Sequence, residues 1–139
     1  MTGSGTTVVH DPVDADRAAA AAGLRALAEL AYGRRRMIAV IGELRAAPGE
    51  ELEDHDAIGR LAVRLNVDLL IAVGHGARHV QAAAGLEGSW DGESVIVATP
   101  EEAYDRLREE LRGDEVVLVT GSTAAGLAPL ADRLTGGAR

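Results

Sequence analysis

A chain of 139 residues, 47% hydrophobic and 26% charged, is long enough for one domain with its own core. It contains no Cys and no Phe, and all 14 basic residues are Arg, which excludes a thiolate nucleophile, a disulfide, a Schiff-base or carbamylated lysine and a P-loop lysine. A formal charge of −8 works against nonspecific binding to nucleic acid or anionic lipid, and no apolar run approaches the ~20 residues of a membrane span, so the expected location is cytoplasmic.

In chain order, residues 1–6 read as a disordered or artificially added start, 7–135 as a single domain and 136–139 as a tail. The first apolar run, Thr7 to His10, is followed by the carboxylates Asp11, Asp14 and Asp16. Asp14 or Asp16 is placed to cap a helix through the alanine tract to about Ala31, with Ala20, Leu24, Leu27 and Leu30 facing inward and Gly33 as C-cap. Capping explains part of the carboxylate cluster, and a magnesium site there is the weaker reading. Arg34-Arg35-Arg36 reads as a solvated loop into a second strand, Met37 to Ile41. A second helix runs from about Leu52 to Asn66, with Ile58, Leu61, Ala62 and Leu65 inward and Asp54, Arg60 and Arg64 outward.

A third strand spans Leu69 to Val73. The turn Gly74-His75-Gly76 lacks the third glycine of a dinucleotide loop, and a short helix continues to Ala84. His75 and His79 share a helical spacing without a third ligand, and with His55 they read as exposed or turn-capping side chains, so no metal site is assigned. Trp90 reads as a loop anchor. A fourth strand, Ser94 to Ala98, leads to a helix with Thr99 as cap, Pro100 in its first turn and Glu101 and Glu102 at the positive end of its dipole. A fifth strand, Val116 to Val119, ends in Thr120-Gly121-Ser122-Thr123, whose amides could bind an anion, before a helix from about Ala124 to Leu134.

The strands are continuously apolar rather than alternating, the pattern of strands buried on both faces. About five of them separated by helices predict a three-layer, Rossmann-like α/β fold: an open, mostly parallel sheet with helices on both faces. Ligands of such sheets bind beyond the carboxyl ends of the strands, which here carry His10-Asp11, Gly42-Glu43, Gly74-His75 and Thr120 to Thr123.

Taken together, Val8-Val9-His10-Asp11, Ile38-Ala39-Val40-Ile41-Gly42-Glu43, His55-Asp56-Ala57-Ile58-Gly59-Arg60-Leu61-Ala62 and Val116-Val117-Leu118-Val119-Thr120-Gly121-Ser122 resemble, in order and spacing, the C-terminal domain of the Mur ligases. The similarity is greatest to the branch that adds a D-alanyl-D-alanine dipeptide. It implies the substrate-closing domain of an ATP-dependent amide ligase of peptidoglycan synthesis, in which ATP and magnesium are held mainly by a central domain absent from this chain. The partners implied are the central and N-terminal ligase domains, the UDP-muramoyl tripeptide and D-alanyl-D-alanine. No turnover is expected from this domain alone, and neither nucleic acid nor membrane is an expected partner.

The resemblance places Asp11, Asp14 and Asp16 on the nucleotide side and Glu43, Ser122 and Thr123 on the amino-substrate side. Where the family has Asp-x-Tyr-Asn-Ala-Asn-Pro, this chain has Asp11-Pro12-Val13-Asp14-Ala15-Asp16-Arg17, and Thr120 replaces a usual lysine. Carboxylates in place of amides add repulsion beside a triphosphate unless a cation intervenes. These departures support an alternative, a free-standing, non-catalytic module with degenerate nucleotide contacts, acting in binding or regulation.

Overall fold

The structure is a computed structural model and describes residues 5–10 and 14–135. Five strands, β1 (Thr7–His10), β2 (Met37–Gly42), β3 (Leu69–Val73), β4 (Glu93–Val97) and β5 (Val116–Thr120), form one sheet in the order β1-β5-β2-β3-β4. Every pairing is parallel, with Thr7 opposite Val116, Met37 opposite Val116, Ile38 opposite Leu69, and Leu69 opposite Glu93. The helices are α1 (Arg17–Ala31), α2 (Glu51–Arg64), α3 (Arg78–Gly85), α4 (Pro100–Glu110) and α5 (Ala128–Leu134).

The crossovers from β1 to β2, β2 to β3 and β3 to β4 advance in one direction. Right-handed connections therefore put α1, α2 and α3 on one face, and the return from β4 to β5 puts α4 on the other. Alternate strand residues serve the two cores. Ala39, Ile41, Leu70, Val116 and Leu118 pack with Leu24, Leu27, Ile58 and Val80 on the first face. Ile38, Val40, Leu69, Ile71, Val117 and Val119 pack with Leu107, Leu130 and Leu134 on the second. Only the central strands β2, β3 and β5 are buried along their whole length, and edge strand β4 leaves Ile96 47% exposed.

Several helix boundaries differ from the sequence reading. In α1 the cap is Asp16, which accepts from the Ala19 N–H. Tyr32 rather than Gly33 closes the helix in the left-handed region, at φ 53°. Leu30 is exposed and Ala31 is buried in its place, because the inward stripe turns with the helix period of 3.6 residues. The last helix starts at Ala128 instead of Ala124, since Gly126 at φ 70° ends a 3₁₀ turn over Thr123–Ala125. His75–Ala77 is likewise a 3₁₀ turn ahead of α3. By contrast, α4 follows its reading: the Thr99 hydroxyl accepts from Glu102 N–H, and the Glu102 carboxylate accepts from Ala98 N–H at 2.8 Å.

The basic run is more than a solvated loop. Arg34 is exposed, but Arg35 donates to the carbonyls of Gly5, Asp114 and Glu115 and to the Thr7 hydroxyl. Arg36 pairs with Glu110 at 2.8 Å. Thr6, assigned to the start segment from sequence, is buried and donates its hydroxyl to Glu115 at 3.1 Å. Trp90 is anchored as expected, its indole N–H donating to the Val67 carbonyl at 2.9 Å.

Gly59 lets α2 lie against α3, since a Cβ there would collide with the Val80 carbonyl and sit 3.0 Å from Ala83 Cβ. Gly59→Ala is expected to cost about 1–3 kcal/mol through forced separation of the two helices, as measured by urea unfolding.

Candidate functional site at the switch point of the sheet

The chain leaves β5 toward the α5 face, whereas β1 and β2 on either side of it lead to α1 and α2 on the opposite face. Diverging connections leave a crevice over the carboxyl end of β5, the place where open α/β sheets bind ligands. Three loops meet there. Ser122 N–H donates to the Glu43 carbonyl at 2.7 Å, Ala15 N–H to the Gly121 carbonyl at 3.2 Å, and Arg45 N–H to the Ala15 carbonyl at 2.8 Å. A cavity of about 140 Å³ lies beside them, lined by His10, Ser122, Thr123 and Leu127 among others.

Asp14 and Asp16 are brought together, but around a residue that the sequence reading left out. Arg45 reaches Asp14 at 3.2 Å and Asp16 at 3.3 Å. Asp14 also accepts from the Thr123 N–H at 2.7 Å, joining the first loop to the last. The Asp16 carboxyl is held below its ordinary range, first by the Ala19 N–H, against the opposing effect of burial, and then by Arg45. With all these groups half-exposed, the ion pairs add little stability, but together they set the shape of the rim. Asp11 lies outside the described residues.

The amides of Gly121-Ser122-Thr123 do not form an anion cradle. Ser122 N–H is taken by Glu43 and Thr123 N–H by Asp14, and the 3₁₀ turn that follows is only three residues long. The described rim residues therefore do not fit a triphosphate or its magnesium: two carboxylates are committed to Arg45, and two turn amides are committed internally. Among the described residues, no group of three or more His, Asp or Glu side chains is arranged to hold a metal.

Toward β3, on the other side of β5, one carboxylate is more available. Glu43 is exposed, and no partner for its carboxylate occurs among the described residues. It lies over the turn after β3, where a Cβ on Gly76 would fall 2.6 Å from Glu43 Cδ. Ser122 and Thr123 belong instead to the cavity beside His10 on the β1 side, Ser122 buried at its wall and Thr123 exposed. Gly76→Ala is expected to leave the melting temperature within about 2 °C and to swing the Glu43 carboxylate off this turn, visible in a crystal structure of the variant.

Two buried groups were missed from sequence because their partners are remote or on the backbone. His55, read as exposed or turn-capping, is 1% exposed in α2. Its Nε2 accepts from Leu44 N–H at 2.9 Å, and since an amide can only donate, Nδ1 carries the proton and donates to the Glu51 carbonyl at 2.6 Å. This latch fixes Leu44 between Glu43 and Arg45. Asp54, expected to point outward, is also buried, facing Arg17 across 3.6 Å. At the opposite end of the sheet, fully buried Glu115 accepts from Thr6, Arg112 and Gly113.

An open parallel sheet with a loop-built rim over its switch point defines an α/β domain of the doubly wound class. The chain belongs to the Mur ligase family, matching the description "Mur ligase, glutamate ligase domain" over residues 1–123. It is 42% identical over 95% of its length to the UDP-N-acetylmuramoyl-tripeptide–D-alanyl-D-alanine ligase of Mycobacterium leprae, and spans 28% of that protein. Its fold is similar to MurF from Acinetobacter baumannii, with a TM-score of 0.68 and 20% identity over 91% of this chain and 28% of that one. It is similarly close to the Thermotoga maritima MurF ligase in complex with ADP, with a TM-score of 0.66 and 18% identity over 97% of this chain and 30% of that one.

Proposed function

We propose that the chain acts as the C-terminal domain of an ATP-dependent ligase that joins D-alanyl-D-alanine to a UDP-N-acetylmuramoyl tripeptide in the cytoplasm. The observation that carries this reading is the 42% identity over 95% of the chain to a ligase of that specificity. The rim gives it a physical form. Glu43 offers a carboxylate to the ammonium group of the incoming dipeptide, and Ser122 and Thr123 line the cavity on the other flank of β5. Asp14 and Asp16 act through Arg45, shaping the first loop, while Asp11 is the candidate for the nucleotide side.

ATP and magnesium are supplied from the central domain in this reading, which agrees with a chain that has no lysine and with Asp14, Asp16 and the amides of Ser122 and Thr123 being internally paired. This domain contributes closure over the reacting groups, which excludes water from an activated carboxyl.

A chimera of the M. leprae ligase carrying this chain as its third domain tests the proposal, assayed for phosphate release with the UDP-tripeptide, ATP and D-alanyl-D-alanine. Dipeptide-dependent release that the truncated ligase lacks is expected, with Glu43→Gln raising KM for the dipeptide more than for ATP. A folded chimera without dipeptide-dependent release, or turnover by the isolated chain, overturns it.

A further inference from the structure

On the outer side of α1 and α2, bordering the crevice rim at Arg17, four of the 14 arginines gather at one groove. Arg17 and Arg25 lie two turns apart on α1, facing Arg60 and Arg64 on α2, around a cavity of about 200 Å³. Its floor includes the apolar side chains of Ala21 and Leu61. Among the described residues, carboxylates answer half of this positive charge. Arg17 faces Asp54 at 3.6 Å and Arg60 pairs with Asp56 at 2.9 Å, whereas Arg25 and Arg64 have no side-chain partner among the described residues.

Arginines without a carboxylate partner among the described residues also occur singly, as at Arg34 and Arg112, whereas here they belong to a group of four around one groove. A chain of net charge −8 has carboxylates to spare, yet it holds two uncompensated guanidinium groups on facing helices, where like charges repel. Arginine is also the side chain suited to bidentate recognition of carboxylates. A small inorganic anion would find only the guanidinium groups and would meet an apolar floor that leaves its remaining oxygens unbonded. An acidic, amphipathic protein segment satisfies both features, its carboxylates on the arginine rim and an apolar side chain on the floor.

We infer that the groove between α1 and α2 is a docking surface for an acidic amphipathic segment of a partner protein, held mainly by Arg25 and Arg64. The inference does not depend on the proposed ligase activity, since Arg25 and Arg64 lie clear of the crevice rim.

The test titrates the chain with a fluorescein-labelled peptide in which glutamates flank two leucines one helical turn apart, followed by anisotropy. Binding that weakens steeply with added NaCl is expected, and Arg25→Glu with Arg64→Glu should weaken it roughly tenfold or more. Arg34→Glu, which changes an exposed arginine elsewhere by the same charge, should change it less than about twofold. The double variant should melt within about 3 °C of the parent, because both side chains are exposed. Equal losses in the Arg34 and double variants overturn the inference, as does equal affinity for a glutamate–serine peptide of the same charge. Displacement of the peptide by millimolar inorganic phosphate at constant ionic strength overturns it in favour of a small-anion site.

Discussion

Glu115→Ala is expected to remove about 3 kcal/mol and lower the melting temperature by roughly 10 °C. The side chain is fully buried and receives the Thr6 hydroxyl and the N–H groups of Arg112 and Gly113, all of which lose their acceptor in the variant. Burial is the largest single influence on the carboxyl and pushes it up. The backbone N–H groups of Arg112, Gly113 and Glu115 itself, with Thr6, together outweigh burial and hold it below its ordinary 4.5.

A carboxyl depressed in the folded state contributes stability that is fully present above its unfolded value and fades as the pH falls below it. Glu110 shifts the same way, first through its hydrogen bond from Arg36, against burial, and then through Arg106. Melting curves should therefore be flat above about pH 5 with respect to these groups and fall below about pH 4.5. Glu115→Gln keeps one acceptor and cannot titrate, so its curve should fall less steeply in that acid range. Parallel acid limbs for the parent and the Gln variant would mean that Glu115 carries no such linkage.

The second large effect is expected at His55. His55→Ala should cost about 3 kcal/mol, from a cavity in α2 and an orphaned Leu44 N–H. His55→Phe fills much of the space and isolates the lost acceptor, which should cost about 1–3 kcal/mol by urea unfolding. The consequence for the site is separate from stability. With Leu44 released, Glu43 and Arg45 lose their fixed spacing, so amide exchange at Leu44 and Arg45 should quicken in the Phe variant beyond its global loss. Unchanged exchange there would make His55 a packing residue only.

The strands could be read from sequence because β2, β3 and β5 are covered on both faces, and such burial leaves an uninterrupted apolar run. Helix starts set by local chemistry were also legible, as at Asp16 and Thr99. Helix ends were less so: whether Gly126 stops a helix or is absorbed into one depends on a φ that no neighbouring residue dictates. The rim was half legible. Position at strand ends pointed to Asp14, Asp16, Glu43, Ser122 and Thr123, but Arg45 looks like any surface arginine until β1 and β2 set it between two carboxylates. His55 and Glu115 carry no local mark either, since their partners include the backbone of another loop and a threonine 109 positions away.

The place of β5 in the sheet has a consequence for how the molecule comes into being. The strand order gives β1 no neighbour but β5, and β2 borders β3 on one side and β5 on the other. Until Val116 to Thr120 has been synthesised and inserted, the N-terminal strand has nothing to pair with, and one edge of β2 stands open. The fifth strand of this sheet in chain order is thus the one that joins β1 to the other three, so closure waits on contacts of high sequence separation and should be the slow step in folding of the sheet. A ribosome stalled before β5 would hold a β2-β3-β4 fragment with an unprotected edge, a species prone to pairing with other chains rather than with itself.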